Sequence, residues 1–108
     1  MKEIIYYQCE NGKIPYFEWY KSLDKSLRII IDKRILKVER GLYGDYKRLS
    51  EDLYELKFSN GLRIYFTEKN DVIILLLNGG NKSKQSKDIE MAQNYIVELN
   101  KRMKTNGE

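Results

Sequence analysis

The side chains of this 108-residue sequence best suited to chemistry are cationic rather than nucleophilic. Histidine is absent and Cys9 stands alone, so an imidazole acid–base pair, an internal disulfide and a zinc site of cysteine and histidine all lack their residues. No cofactor or metal is expected. What remains is Lys57, Arg63 and Tyr65 on two neighbouring segments, Lys82, Lys84, Gln85 and Lys87 just beyond a Gly79-Gly80 pair, and Lys47 with Arg48 upstream. A guanidinium such as that of Arg63 can grip two phosphate oxygens at once, whereas the Lys57 ammonium keeps the charge without the two-pronged geometry. Tyr65 could hydrogen-bond a phosphate or stack on a base, and the lysines after the glycines could wrap a phosphate beside a helix N-terminus. Each has a plainer role beside the chemical one. Arg63 can form a cross-strand salt bridge with Glu55, Tyr65 can pack in a core, and the lysines can be solvated. Asp88 reads better as a first-turn helix charge than as a general base.

The elements that must position these residues lie between Asp52 and Asp88. Leu53, Glu55 and Lys57 alternate with Tyr54, Leu56 and Phe58, and then Leu62, Ile64 and Phe66 alternate with Arg63, Tyr65 and Thr67. Two strands are predicted, each with one packing face and one face of charge and aromatics. Ser59-Asn60-Gly61 joins them with a pair that tolerates positive φ, and Glu68-Lys69-Asn70-Asp71 leads to the next strand. Val72 to Leu77 is an unbroken apolar run, the mark of a strand covered on both faces. The two glycines are expected to end it in a turn that launches Lys82. Register through the Asn60-Gly61 turn brings Lys57 beside Arg63.

Upstream, Lys2 to Gln8 reads as a first strand, placed side by side with the apolar strand in the middle of the sheet. Pro15 suits the first turn of a short helix over Tyr16 to Ser22. Asp24 is positioned to cap a longer helix that runs to about Arg40, with Gly41 as its stop. Leu27, Ile31, Ile35, Val38 and Leu42 form its apolar stripe, and Ile29, Ile30 and Leu36 add apolar surface outside it. Gly44 to Asp52 connects to the sheet through a short edge strand or an extended arm. From about Ser86 a last helix carries Ile89, Ala92, Ile96, Leu99 and Met103 at alternating spacings of three and four, and the tail from Lys104 to Glu108 is expected to fray.

The fold class is therefore α+β: one domain over residues 1–108, with two N-terminal helices, a mostly antiparallel sheet of four or five strands, and a C-terminal helix. Charged residues at 33% and hydrophobic residues at 42% fit a globular chain rather than a disordered one. The apolar run is far shorter than the roughly 20 residues a membrane span needs, and no signal-peptide pattern opens the chain. A reducing cytoplasm is the expected location. A net charge of +4 permits a polyanionic partner without requiring one.

Four segments in register resemble a known family. They are Leu53-Tyr54-Glu55-Leu56-Lys57, then Leu62-Arg63-Ile64-Tyr65-Phe66, then Leu75 to Gln85 with Gly79-Gly80 and Lys82, and Asp88-Ile89 leading to Ala92. Their order and spacing are similar to toxins of the RelE/ParE superfamily, in particular the small HigB-like toxins, or addiction module killer proteins, of type II toxin–antitoxin pairs. The resemblance implies the compact RelE-like fold and a metal-independent endoribonuclease that cuts mRNA at the ribosome and so inhibits translation. It implies catalytic roles for Arg63, Lys57, Tyr65 and Lys82, and RNA or ribosome binding by Lys47, Arg48, Lys84, Gln85 and Lys87. At the Lys57 position many relatives carry arginine. The implied partners are mRNA, the ribosome and a cognate antitoxin of helix-turn-helix type, with operator DNA reached only through that antitoxin and no membrane involved. Two other functions stay open. One is a ParE-like inhibitor of DNA gyrase acting by protein binding; the other is an inactive relative that helps its antitoxin repress their promoter.

Overall fold

The computed structural model describes residues 1–107, and of residues 105–107 the backbone only. The chain runs β1 (Glu3–Tyr6), α1 (Pro15–Lys21), α2 (Lys25–Glu39), β2 (Tyr46–Arg48), β3 (Tyr54–Lys57), β4 (Leu62–Lys69), β5 (Ile73–Asn81), a single 3-10 turn (Lys82–Lys84) and α3 (Gln85–Gly107). It is an α+β fold built on one five-stranded sheet in the order β1-β5-β4-β3-β2, parallel only between β1 and β5.

The helix boundaries have local causes. Pro15 occupies the first turn of α1, where no N–H is required. Asp24 stands at the N-cap of α2, but its side chain makes no capping bond; its carbonyl accepts from Leu27 and Arg28 at 3.0 Å each. At the other end Gly41 turns left-handed at φ 82°, its N–H donating to the Val38 carbonyl and that of Leu42 to the Lys37 carbonyl. That pair of bonds is a Schellman closure. It also explains why Leu42, the last member of the expected apolar stripe, is exposed: the chain has already left the helix. Ile31 and Val38 from the same stripe are fully buried, each worth about 1.5–3 kcal/mol relative to exposure.

Helices cover the sheet on both sides. Tyr16 of α1 with Ile31 and Val38 of α2 pack on Leu56, Ile64, Phe66, Ile74 and Leu76. Ala92 and Ile96 of α3 pack on the opposite face with Tyr7, Leu53, Tyr65 and Leu77. As a result β4 is buried from Leu62 to Thr67 on both faces, not on one as alternation predicts. The 23-residue α3 starts one residue earlier than expected and stays helical through the segment expected to fray; Glu108 lies outside the described residues.

Two placements differ from the sequence reading. β1 is not central: β5 takes β4 on one side and β1 on the other, and β1 ends the sheet, its Glu3 and Tyr6 exposed. Gly79 and Gly80 form no turn and stay in β5, paired with Ile64 and Arg63 of β4. The turn between β4 and β5 is at Asn70 and Asp71, within the Glu68-Lys69-Asn70-Asp71 segment expected to join them, both left-handed at φ 55° and 57°.

Burial raises the pKa of Tyr16, Tyr43 and Tyr65 above the ordinary 10.0. These phenols ionise in the unfolded chain before they do in the folded one, so their contribution is complete below pH 10 and is lost as pH rises beyond it. A base titration followed in parallel by tyrosinate absorbance and circular dichroism should show late tyrosines that ionise only as the fold is lost. Smooth ionisation of every tyrosine with the fold intact would contradict this.

Candidate functional site

The β3–β4 hairpin aligns the cations. Gly61 adopts φ 93° at its tip, the Phe58 N–H donates to the Leu62 carbonyl at 3.1 Å, and the Asn60 carboxamide oxygen accepts from the Leu62 N–H at 3.0 Å. From there Lys57 pairs with Arg63 and Glu55 with Tyr65, as the Asn-Gly turn predicts. The two rows continue across the sheet. One runs Lys47, Glu55, Tyr65, Asn78 and the other Lys57, Arg63, Gly80, both on the face that carries α3. A bulge opposite Tyr65 and Phe66 puts an extra residue, Leu77, into β5 and so brings Asn78 onto the same face.

The first turn of α3 closes over these rows. Gly80 is required there, because a Cβ at that position would overlap the Asp88 carboxylate. Next to it a Cβ on Gly79 would enter the Trp19 ring from the other layer. The Asn78 amide donates to the Asp88 carbonyl at 3.2 Å, and the Gln85 amide donates to the Glu55 carboxylate at 2.6 Å.

Under this turn is a cluster of buried polar groups. Glu55 is 1% exposed, Asn78 4% and Arg63 8%, while Tyr65 is fully buried. The Arg63 Nε stands 3.6 Å from Glu55 Oε2, and its Nη1 makes a long bond of 3.4 Å to the Leu62 carbonyl. Arg63 Nε, the Tyr65 hydroxyl, Asn78 Oδ1 and Asp88 Oδ2 are all buried without a hydrogen-bond partner. Desolvation pushes the Tyr65 phenol up, and the charges of Glu55 and Asp88 push it further while Arg63 opposes them. Burial likewise raises Asp88, against the pull of Lys84 and Lys87.

The candidate residues therefore separate. Lys57 and Arg63 stand side by side, with Lys82 next to the hairpin tip: a Cβ on Gly61 would lie 4.0 Å from that of Lys82. Arg63 is not on an open face as alternation predicts, and it makes the Glu55 salt bridge that was the plainer reading. Tyr65 packs in the core and offers no surface to a substrate. Lys47, Lys84 and Lys87 are exposed on or near this side. Gln85 is turned inward to Glu55 rather than outward to a ligand. Arg48 belongs to the other face, where it lies over the Tyr54 ring at 5.8 Å and donates to the Ser50 and Glu51 carbonyls. The Ser83 N–H in the loop after β5 is not offered to an anion, since the Asn81 side chain already accepts from it at 3.1 Å and from Ser83 Oγ at 2.6 Å.

Sequence reasoning missed the positioning groups. Arg34 of α2 donates to the carbonyls of Tyr43 at 2.7 Å, Asp45 at 2.6 Å and Lys57 at 2.9 Å, with its guanidinium 4.8 Å from the Phe58 ring. It ties β3 to the helix layer. Asn78 carried one available signal, a polar residue that ends the apolar run of β5 just before two glycines.

No family model matches the sequence. It is similar to a protein of Haemophilus influenzae strain Rd described as an uncharacterized protein, with 36% identity over 90 residues that cover 80% of this chain and 90% of that protein. Likeness at that level over most of both chains means that the present chain belongs to the same family as the Haemophilus influenzae protein.

Proposed function

We propose that this chain is the toxin of a type II toxin–antitoxin pair of the RelE/ParE superfamily, HigB-like branch, and that it cleaves mRNA at the ribosome without a metal. The observation that carries the reading is the placement of Lys57 directly across from Arg63 on one face. Like charges opposite one another in a sheet oppose folding, and Glu55 offsets only part of that repulsion. A phosphate on the row would neutralise the remainder. In an in-line attack by a ribose 2′-OH, these cations would stabilise the charge that builds on the phosphorane. The resemblance of the four segments supplies the rest of the argument.

One observation favours the second reading, a gyrase inhibitor or an inactive relative. Arg63 keeps only 10% of its side chain exposed and is largely committed to Glu55. Primer extension on cellular mRNA after brief induction, compared with plasmid topology from the same cells, separates the two. Codon-phased cuts with normal supercoiling support the ribonuclease; relaxed plasmid with intact mRNA supports gyrase inhibition, and neither change leaves the inactive relative.

The antitoxin is the proposed protein partner. Both faces of the central strands are covered, so it has the outer face of α2 to use, where Ile29, Ile30 and Leu36 are exposed. Among the described residues no helix is long and apolar enough to cross a membrane. Lys82 and Lys84 serve as peripheral phosphate contacts in this reading. Each of Lys82→Ala and Lys84→Ala should weaken RNA or ribosome binding and reduce the slope of log affinity against log salt by about one charge. An unchanged salt slope in both variants would remove them from the interface.

A further inference from the structure

We propose that Gln85 and Glu55 form a positioning relay that ties the aim of the Arg63 guanidinium to the seating of the first turn of α3. The proposal rests on the functional reading above for its effect on cleavage, but not for its geometry. Glu55 is a carboxylate 1% exposed, and a charge so placed requires partners. Among the described residues the Gln85 amide reaches it at 2.6 Å and the Arg63 Nε at 3.6 Å, with the Tyr65 hydroxyl beside it. Among the described residues Arg63 has little else to hold it, since its one hydrogen bond there is the 3.4 Å contact with its neighbour's carbonyl and its Nε is otherwise unpartnered.

The direction in which Arg63 points is thus decided by where Glu55 holds its carboxylate. Glu55 is in turn held by a side chain from another element. Gln85 is the first residue of α3, and that turn is seated on the sheet by the Asn78–Asp88 bond and by the fit of Asp88 over Gly80. Helix seating and arginine aim are therefore one event. Lifting the turn removes the 2.6 Å contact that Gln85 makes with Glu55 and leaves the carboxylate to Arg63 and Tyr65. Gln85 is then a positioning residue, with no contact to substrate.

The test is Gln85→Ala in the full chain, with Ser86→Ala as a control for the same helical turn. In 15N-labelled protein the Arg63 Nε–H resonance reports the order of the guanidinium directly. Gln85→Ala should lower its heteronuclear Overhauser effect and shift the resonance, while Ser86→Ala leaves it in place. On mRNA programmed into ribosomes, kcat should fall 10- to 100-fold with KM nearly unchanged, as expected for misplaced rather than missing charge. Glu55→Gln should disorder the same resonance. An unchanged Arg63 signal in Gln85→Ala would overturn the relay, as would a loss of kcat that only tracks a fall in thermal stability. If the native chain cleaves no RNA, the functional reading fails, and the resonance still decides the relay.

Discussion

Replacing Arg63 with alanine is expected to lower cleavage by of order 10²-fold or more and at the same time to destabilise the fold by about 2–4 kcal/mol. The first effect follows from removing the row's only guanidinium. The second follows from Glu55, which stays buried and keeps its Gln85 contact but loses its countercharge. Sequence alternation alone predicts no folding defect here, because it places Arg63 on an open face. The two effects can be separated. Arg63→Lys keeps a cation near Glu55 and should recover most of the stability but only part of the rate, since an ammonium does not grip two oxygens. Replacing both members, Glu55→Leu with Arg63→Met, exchanges a buried ion pair for apolar side chains of similar volume and should restore stability without restoring cleavage. Denaturant unfolding and single-turnover cleavage on the four proteins would test this. A fully toxic Arg63→Ala, with antitoxin binding intact, would remove Arg63 from the chemistry.

Why one residue carries both burdens becomes clear from what the sequence does and does not encode locally. The hairpin, the Gly41 helix stop and the stripe of α3 from Ile89 to Leu99 are short-range patterns, and the structure follows them to within a residue or two, with Met103 at the end of the stripe left exposed. Pairing of Lys57 with Arg63 was legible for the same reason: a tight turn fixes register. The burial of Arg63 was not legible, because it depends on where α3, more than twenty residues later, docks. Strand alternation distinguishes two faces but cannot say that both will be covered. Arg48 is a further case. It is next to Lys47 in sequence, and period-two geometry sends the two to opposite faces once the edge strand forms.

The glycine pair shows a different ambiguity. Glycine in a turn and glycine under a close approach read alike in a sequence, and Gly79-Gly80 after an apolar run fits either. In the structure the reason is steric and different for each residue. Gly79 gives room to the Trp19 ring of α1 on one face, and Gly80 to Asp88 of α3 on the other. At this point both helical layers lie against β5. It lies beside Arg63, so the spacing of the layers and the geometry of the cationic row are set together.

Stability changes of comparable size are therefore expected at these glycines. Gly79→Ala drives a methyl group into a flat indole that has Tyr16 beside it, and overpacking of that kind costs about 1–3 kcal/mol or more. Gly80→Ala should cost a similar amount by a separate route, because Asp88 is a short side chain on a helix and cannot swing clear unless the first turn of α3 lifts. The two routes predict different rescues. Asp88→Ala removes the overlapping carboxylate and should restore most of the stability lost in Gly80→Ala, yet do nothing for Gly79→Ala. A Gly80→Ala variant that still folds should also show reduced cleavage, since a lifted turn carries Gln85 away from Glu55. Equilibrium unfolding of the single and double variants decides the matter: if Asp88→Ala rescues neither glycine variant or both equally, the contact between Asp88 and Gly80 is not what seats the helix.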